Sequence, residues 1–402
     1  MAFRTAPGAR SHRPGVMDLF RGTPRTSTVP RGSGKDSPDS HAEALGQFAS
    51  SYGVFKPSPV YAASPWQGSP YYQQVRNPDK KRKRRRWVLG LAAVAVSLLV
   101  VDYFAYPWWS PIPATEANKG TNGLWIRYTH YFGEVPDEDV AKLATRLGEY
   151  QFAYAFFHVR FIKKDGTLAY RYPEKAKRLL ETVRERAPQT KLIAWVFAGN
   201  ERGSGEVDLT DRTVRENMVE EAKWLIEECG FDGVQWDYEM CDDGEQGLLE
   251  LLEETRSATP QGAFLGVCAP VLYPGPVNYG WSDTYISEVA SRCDQIAVMC
   301  YDTAFYLPRS YVWLSAKQVE RFSAAVTKGN KSATFVIGVP TYEEGFRSHG
   351  RRAETLQNAI RGVNRGFESA NEPMNFAGIS LFADYTTDEE EWSTYENHWL
   401  GR

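Results

Sequence analysis

The sequence predicts an α/β fold, an eight-stranded (β/α)8 barrel preceded by a disordered tail and one transmembrane helix. Strand-like and helix-like segments alternate eight times between residues 121 and 402, and an uncharged apolar run precedes them. Residues 1–86 contain 16 Lys and Arg against five Asp and Glu, a net charge of +11. Residues 87–402 contain 31 against 45, a net charge of −14. Such an acidic body repels phosphates, so we expect no nucleic-acid partner.

The first segment, residues 1–79, has the composition of a disordered tail. It holds ten of the 23 prolines and is rich in Ser, Gly and Arg, with no helical or alternating pattern. Such a segment buries too little apolar surface to offset the entropy of the ordered chain. We predict a disordered, basic, cytoplasmic tail.

A membrane span is predicted over residues 80–109. Seven consecutive basic residues, Lys80–Arg86, precede an uncharged apolar run, Trp87–Val101. These 15 residues would cover about 22 Å as a helix, against a hydrocarbon core of about 30 Å. Extension to Trp109 gives 23 residues, of which Asp102 alone is charged. The extension adds aromatic residues where an interfacial belt lies, and a proline expected to end the helix: Tyr103, Phe104, Tyr106, Pro107, Trp108 and Trp109.

Two other interpretations of this run are less consistent with the sequence. A buried core helix needs a polar face, which Val88–Val101 lacks, and a signal peptide lies much closer to residue 1. The positive-inside rule then predicts a signal-anchor with its N-terminus in the cytoplasm. Residues 110–120 are expected to be a linker, and residues 121–402 a barrel on the extracytoplasmic side.

Eight short apolar runs predict parallel strands that are buried on both faces. They are Leu124–His130, Phe152–Val159, Lys191–Phe197, Gly233–Tyr238, Ala263–Ala269, Gln295–Tyr301, Thr334–Val339 and Gly378–Phe382. Helical patterns follow each strand: Glu138–Leu147, Glu174–Arg186, Thr213–Glu228, Glu245–Thr255, Ser282–Ser291, Lys317–Lys328, Arg352–Ser369 and Asp388–Leu400. Asp211 and Ser282 are placed to cap two of them. A doubly wound sheet would fit fewer units, and no GxGxxG follows the first strand.

Acidic residues collect at the end of the fourth strand, where a barrel carries its chemistry. Because side chains alternate along a strand, Gln235, Asp237 and Glu239 share the face that points into the barrel. Two such carboxyl groups are costly to bury without a function, and one pKa should rise, as a general acid requires. Tyr301, at the end of the sixth strand, is placed to reach a polar group held above Asp237.

These residues resemble glycoside hydrolase family 18, which contains chitinases and endo-β-N-acetylglucosaminidases. Asp232-Gly-Val-Gln-Trp-Asp-Tyr-Glu239 resembles the family's DGxDxDxE signature. Three further segments resemble motifs of its second, sixth and seventh strands: Tyr154-Ala-Phe156, Met299-Cys-Tyr301-Asp302 and Gly338-Val-Pro340-Thr-Tyr342. The resemblance covers much of residues 121–402.

The resemblance implies a retaining, substrate-assisted glycosidase of carbohydrate metabolism that cleaves at N-acetylhexosamine. Glu239 would be the general acid and base, Asp237 would orient the acetamido group, and Tyr301 would donate a hydrogen bond to its carbonyl oxygen. Asp232 would be a structural support. The residues expected to bind the substrate are Gln235, Asp302, Met299, Phe382, Tyr128 and Phe156.

Three departures from the family pattern leave alternatives open. One is the segment Ala194-Trp-Val-Phe-Ala-Gly199, which does not match the family's third-strand SxGG. Gln235 replaces an aspartate, and we expect its amide to donate a hydrogen bond to Asp237; Phe382 replaces a tryptophan. One alternative is therefore a weakly active or inactive, lectin-like barrel that binds glycans. Another is a two-carboxylate glycosidase, which needs a second inward carboxylate about 5–9.5 Å from Glu239. The five cysteines form no CxxC pair or Cys/His cluster, and we expect neither a metal nor a cofactor.

Overall fold

The computed structural model describes residues 78–112, 116–199, 207–239, 241–275, 280–343 and 348–402. Most of the predicted tail, residues 1–77, lies outside the described residues. The predicted barrel is confirmed: eight parallel strands close in the order β1 to β8, with β1 paired to β8. The strands are β1 Asn122–Ile126, β2 Phe152–Phe161, β3 Lys191–Ala198, β4 Gly233–Tyr238, β5 Phe264–Pro270, β6 Gln295–Met299, β7 Thr334–Pro340 and β8 Phe376–Phe382.

The helices that follow the strands cover the outside of the barrel, and one further helix precedes β1. In chain order the helices are α1 Pro78–Trp109, α2 Tyr128–Tyr131, α3 Asp137–Glu149, α4 Pro173–Arg186, α5 Arg212–Glu227, α6 Gln246–Ala258, α7 Asp283–Ala290, α8 Pro308–Gly329, α9 Leu356–Ser369 and α10 Glu389–Tyr395, followed by a π-helical turn, Glu396–Leu400. Both predicted caps are confirmed. The Asp211 side chain accepts from the N–H of Thr213, and the Ser282 side chain accepts from that of Tyr285.

Apolar side chains pack on both faces of the barrel strands. Val234 and Trp236 of β4 pack outward between the strands and the helices. The lumen holds a second cluster, centred on Trp125, Trp195 and Phe382. The side chains therefore alternate along β4 as predicted, and the inward positions at the carboxyl ends of the strands meet in one aromatic mouth.

The first strand differs most from its prediction. It ends at Ile126, and residues 128–131 form the short helix α2 instead of continuing the strand to His130. The backbone N–H of Arg127 donates to Asp384 Oδ1, at 3.0 Å, and not to a neighbouring strand. A side chain that follows β8 thus ends β1, which sequence periodicity cannot show.

Helix α1 contains one stretch long and apolar enough to cross a membrane, Lys80–Tyr106, within which an 18-residue window has a mean hydropathy of 2.2 and no buried residue. The described chain divides into two units at Asp102, with residues up to Val101 in one and Asp102–Arg402 in the other. Pro107 does not itself end α1, which continues for two more residues to Trp109.

Part of the predicted aromatic belt belongs to the barrel unit. Tyr106 is 1% exposed, and its hydroxyl accepts from Arg365 at 3.1 Å. Asp102, the single charge of the predicted span, pairs with Arg309 at 2.8 Å. The ring of Tyr106 is therefore covered by protein, so it cannot serve as part of a lipid-facing belt.

Candidate active site

The centre of the barrel mouth is built on β4. Gln235 and Asp237 are 0% and 3% exposed, and both point into the lumen. Each accepts a hydrogen bond from the indole N–H of a tryptophan on another strand. Trp125 of β1 donates to Gln235 Oε1 at 2.9 Å, and Trp195 of β3 donates to Asp237 Oδ2 at 2.8 Å.

The expected hydrogen bond from Gln235 to Asp237 is absent. Gln235 Nε2 is buried without an acceptor among the described residues, as Asp237 Oδ1 is without a donor. Trp125 fixes the amide by binding its oxygen, and Trp195 supplies the donor to Asp237 instead. Gln235 therefore lies beneath the mouth, where it has no surface for the substrate contact that the sequence predicts.

Asp237 combines an elevated pKa with an unused oxygen. Burial raises its pKa to about 6, while the Trp195 indole and the Cys268 thiol favour the charged form. Its Oδ1 atom has no hydrogen-bond donor among the described residues. Near neutral pH this carboxylate can accept a hydrogen bond from a bound ligand at Oδ1.

Glu239 lies one residue beyond the end of β4 and is half-buried. Its charge acts on the Cys268 thiol and on the Tyr301 hydroxyl. Burial is the larger cause that raises the pKa of Tyr301 well above its usual range, and Asp237 contributes. Tyr301 therefore keeps its proton, and its hydroxyl can donate a hydrogen bond beside both carboxyl groups.

An aromatic floor lies beside these polar groups. Phe382 stacks on Tyr301 with ring centroids 4.5 Å apart and an angle of 16°. The edges of Trp125 and Trp195 meet Phe382 at 5.8 and 6.1 Å. The half-buried Met299 packs against the same cluster. An apolar sugar face can stack on such a surface.

Phe156 and Tyr128 occupy different levels of the wall. Phe156 is 0% exposed and lies 5.6 Å from Trp125, so it supports the floor and has no surface for the predicted substrate contact. Tyr128 is half-buried on α2, directly after β1.

Asp232 lies at the opposite end of β4, away from the mouth. It accepts hydrogen bonds from Arg184 at 2.8 Å and from the N–H of Leu192 at 2.7 Å.

Asp302 belongs to a polar cluster that sequence analysis missed. It has a φ of +52°, accepts from the Tyr342 hydroxyl at 2.9 Å, and lies 3.7 Å from His349 Nδ1. That nitrogen is also 3.5 Å from Glu354 Oε2. One potential ligand atom each from Asp302, His349 and Glu354 lies within 4.8 Å of the other two, which is close enough to hold a metal ion. His349 and Glu354 lie in the segment after β7, where no periodic signal marks them.

Trp125, Trp195 and Cys268 were also missed. Trp195 and Cys268 occupy inward positions near the carboxyl ends of predicted strands, and Trp125 occupies such a position in the observed β1. The alternation that selected Asp237 therefore contained the signal that could have selected them. Apolar side chains in such positions are, however, also typical of ordinary lumen packing.

Comparison with known proteins gives a family match over most of the barrel. Residues 127–400 match the family "Glycosyl hydrolases family 18". No curated protein matches the chain. Similar solved structures include the spore cortex-lytic enzyme SleL of Bacillus cereus, with 11% identity, 69% of this chain and 74% of that chain covered, and a TM-score of 0.48.

Two chitinases are also among the similar structures. The enzyme from Bacteroides thetaiotaomicron has 14% identity, covers 70% of this chain and 98% of its own, and gives a TM-score of 0.47. The family GH18 chitinase from Cycas revoluta, in complex with allosamidin, has 18% identity and a TM-score of 0.45, and the match covers 65% of this chain and 94% of that chain.

Proposed function

The chain belongs to family 18 of the glycosyl hydrolases and is a glycosidase. We propose that it cleaves glycans at N-acetylhexosamine and that Glu239 is the general acid and base. The observation that carries the proposal is the environment of Asp237. This buried carboxyl has a pKa of about 6 and is held at Oδ2 by Trp195, while its Oδ1 has no hydrogen-bond donor among the described residues. An acetamido N–H is a donor suited to that oxygen.

In the first proposed step, Glu239 gives its proton to the glycosidic oxygen as the bond from that oxygen to the anomeric carbon breaks. The acetamido carbonyl oxygen forms a new bond to the anomeric carbon, which gives an oxazolinium ion. Asp237 accepts a hydrogen bond from the acetamido N–H and stabilises the developing positive charge. Tyr301 donates a hydrogen bond to the carbonyl oxygen and orients it for attack.

In the second step, water attacks the anomeric carbon and Glu239 takes its proton. The bond from the carbonyl oxygen to the anomeric carbon breaks, the acetamido group is restored, and the configuration is retained. Asp302 would bind the same sugar, while Phe382 stacks on its apolar face. The enzyme needs no carboxylate nucleophile in this scheme.

Turnover by the full-length chain in detergent tests the proposal. Chitooligosaccharides, N-glycans and peptidoglycan fragments would be offered to the wild type and to Glu239→Gln and Asp237→Asn. We expect both variants to lose at least about 100-fold in kcat, the lower end of what a positioned acid contributes. Glu245→Gln is the matched control, since its carboxyl binds the outward-facing Tyr238 hydroxyl at 2.8 Å.

The results separate the proposed mechanism from its alternatives. Binding of a glycan without cleavage by the wild type would indicate a lectin-like barrel. Cleavage that survives Glu239→Gln would place the acid on another residue. Loss in the Glu245→Gln control equal to that in the other variants would indicate a general effect on folding.

We propose that the protein is anchored in a membrane through the exposed part of α1 from Trp87 to Val101, with the tail in the cytoplasm and the barrel on the extracytoplasmic side. The exposed apolar helix and the seven basic residues before it support this topology. Protease treatment of sealed cells or spheroplasts should remove the barrel and spare the tail. Protection of the barrel would reverse the proposed orientation, and release of the chain by alkaline carbonate would exclude a span.

A further inference from the structure

Two arginines stand on the wall of the mouth that β1 and β2 form. Arg127 directly follows β1, two positions after the inward-facing Trp125. Arg160 lies where the register of β2 against β3 shifts between His158 and Phe161, and it has a φ of +77°. Irregularities of this kind at barrel rims redirect side chains next to active sites.

Both guanidinium groups converge on Tyr128. The Cζ atom of Arg127 lies 5.6 Å from the centre of that ring, and the Cζ atom of Arg160 lies 4.4 Å from it. Arg127 is also 5.0 Å from the ring of Tyr385, which packs against the lumen cluster. The two cations therefore line the same side of the mouth.

A continuous path of contacts joins this wall to Asp237. The ring of Tyr128 lies 6.3 Å from His158, which stacks on Trp195 at 4.1 Å. Trp195 in turn donates to Asp237. Burial and Arg160 lower the pKa of His158 to about 3, so the imidazole is neutral and the two arginines carry the positive charge of this wall.

Among the described residues, neither guanidinium group pairs with a carboxylate, and the buried Nε of each has no acceptor. The buried Arg215 shows the usual arrangement, with Glu250 and Glu254 at 2.7 and 3.1 Å. Both arginines are half-buried, and a buried N–H donor without an acceptor is unfavourable, so a bound ligand would gain by supplying an acceptor. A guanidinium fork matches the oxygens of a carboxylate or a phosphate.

We propose that Arg127 and Arg160 form an anion subsite, which binds a carboxylate or phosphate carried by a sugar next to the N-acetylhexosamine that is cleaved. The inference rests on the proposed function and deepens it, because it selects acidic glycans over neutral chitin. Asp237, Glu239 and Asp302 lie at or just beyond the ends of β4 and β6, and their charges would repel an acidic glycan. The arginine pair offsets that repulsion where the anion binds.

The test compares matched substrates with the full-length chain in detergent. One is a neutral chitooligosaccharide. The second has the same length but carries a lactyl ether carboxylate on alternate sugars, and the third carries that group as its amide. A glycan phosphorylated on the sugar next to the cleavage site distinguishes a phosphate ligand from a carboxylate. Initial rates give KM and kcat for each.

Arg127→Gln and Arg160→Gln should each raise KM for one acidic substrate about 10- to 100-fold, the loss expected for a hydrogen bond to a charged group. Values for the neutral and amide substrates should stay within about threefold, and Lys at either position should restore part of the preference. Arg146→Gln is the matched control. Arg146 lies on α3, outside the mouth, and its Cζ atom is 4.2 Å from the centre of the Trp392 ring.

Equal losses on neutral and acidic substrates would overturn the proposal, as would unchanged kinetics on both acidic ones. Failure of the proposed function is a separate result. If the wild type cleaves none of these glycans, calorimetry with the lactyl and phosphorylated oligosaccharides still measures the subsite. Binding that both arginine variants abolish would support it, and binding that neither variant changes would overturn it.

Discussion

The hydrogen bond from Trp195 to Asp237 offers direct control over the acid limb of the pH profile. Trp195→Phe removes the indole N–H, which donates to Asp237 Oδ2 at 2.8 Å, and keeps an aromatic ring against His158. This donor favours the ionised carboxyl, so its loss should raise the pKa of Asp237 above about 6. In the proposed mechanism Asp237 acts as the anion, and a higher pKa moves the acid limb to higher pH.

The expected rise in the pKa of Asp237 follows from the energy of the hydrogen bond that Trp195→Phe removes. A hydrogen bond to a charged group contributes about 1.5–3 kcal/mol, and one pKa unit corresponds to about 1.4 kcal/mol. The pKa of Asp237 should therefore rise by about one to two units, to roughly 7–8. At pH 6 the ionised fraction would fall from about one half to between about 1% and 10%, a loss of about 5- to 50-fold in kcat/KM.

The assay measures kcat/KM between pH 4.5 and 9 with a glycan that the wild type has been shown to cleave. Trp125→Phe is the matched control because it removes an equally buried indole N–H, whose acceptor is the neutral amide of Gln235. Urea unfolding of both variants measures the stability that each loses with its smaller ring. The reasoning requires the acid limb to move in Trp195→Phe and to stay in place in Trp125→Phe.

Two results would refute this reasoning. An acid limb that remains near pH 6 in Trp195→Phe would mean that Asp237 does not determine it. Equal displacement in both tryptophan variants would mean that general loosening of the mouth, and not the lost donor, changes the profile. Recovery of most of the activity above pH 8.5 would support the assignment, because Asp237 is then ionised in both proteins.

Three further predictions concern buried groups. Because the pKa of Asp237 is about 6 in the folded chain, against an ordinary value of 3.8 for an exposed aspartate, stability should fall as pH rises through that window; Asp237→Asn should remove this fall and gain up to ~3 kcal/mol at pH 7 by urea unfolding. His158 has the opposite sign, since its lowered pKa of about 3 makes stability fall on acidification below pH 6.5; His158→Gln should regain up to ~3 kcal/mol at pH 4, and an unchanged slope would contradict this. Glu354 accepts from the backbone N–H groups of Thr303 and Gly350 at 3.2 Å, so Glu354→Gln should destabilise the fold by about 1–3 kcal/mol and raise KM through the neighbouring Asp302; wild-type KM would exclude that coupling.

The barrel and the inward position of Asp237 could be predicted because they depend on local periodicity. A parallel strand buried on both faces gives a short apolar run, and its alternation then assigns each polar residue to one face. The same logic failed at Leu124–His130, where the carboxylate of Asp384 binds the N–H of Arg127 and ends the strand early. That contact joins residues 257 positions apart, which no local pattern encodes.

The hydrogen-bond partners of the site could not be predicted for the same physical reason. Trp195 pairs in register with Gln235, so its indole reaches the next inward residue of β4, which is Asp237. The sequence alone offers Gln235 as the donor because it is the nearest polar neighbour on that face. Two tryptophans from other strands decide the outcome, since Trp125 binds the amide oxygen and Trp195 occupies Asp237 Oδ2.

This arrangement changes how the protonation of Asp237 is controlled. An aspartate at position 235 could share a proton with Asp237, and the pair would titrate together. Gln235 cannot ionise, so burial on one side and the donors Trp195 and Cys268 on the other determine the pKa of Asp237. Replacing Gln235 with Asp should therefore split one acid limb into two, whereas Gln235→Asn should leave one. A single limb in Gln235→Asp would show that this position is not coupled to Asp237.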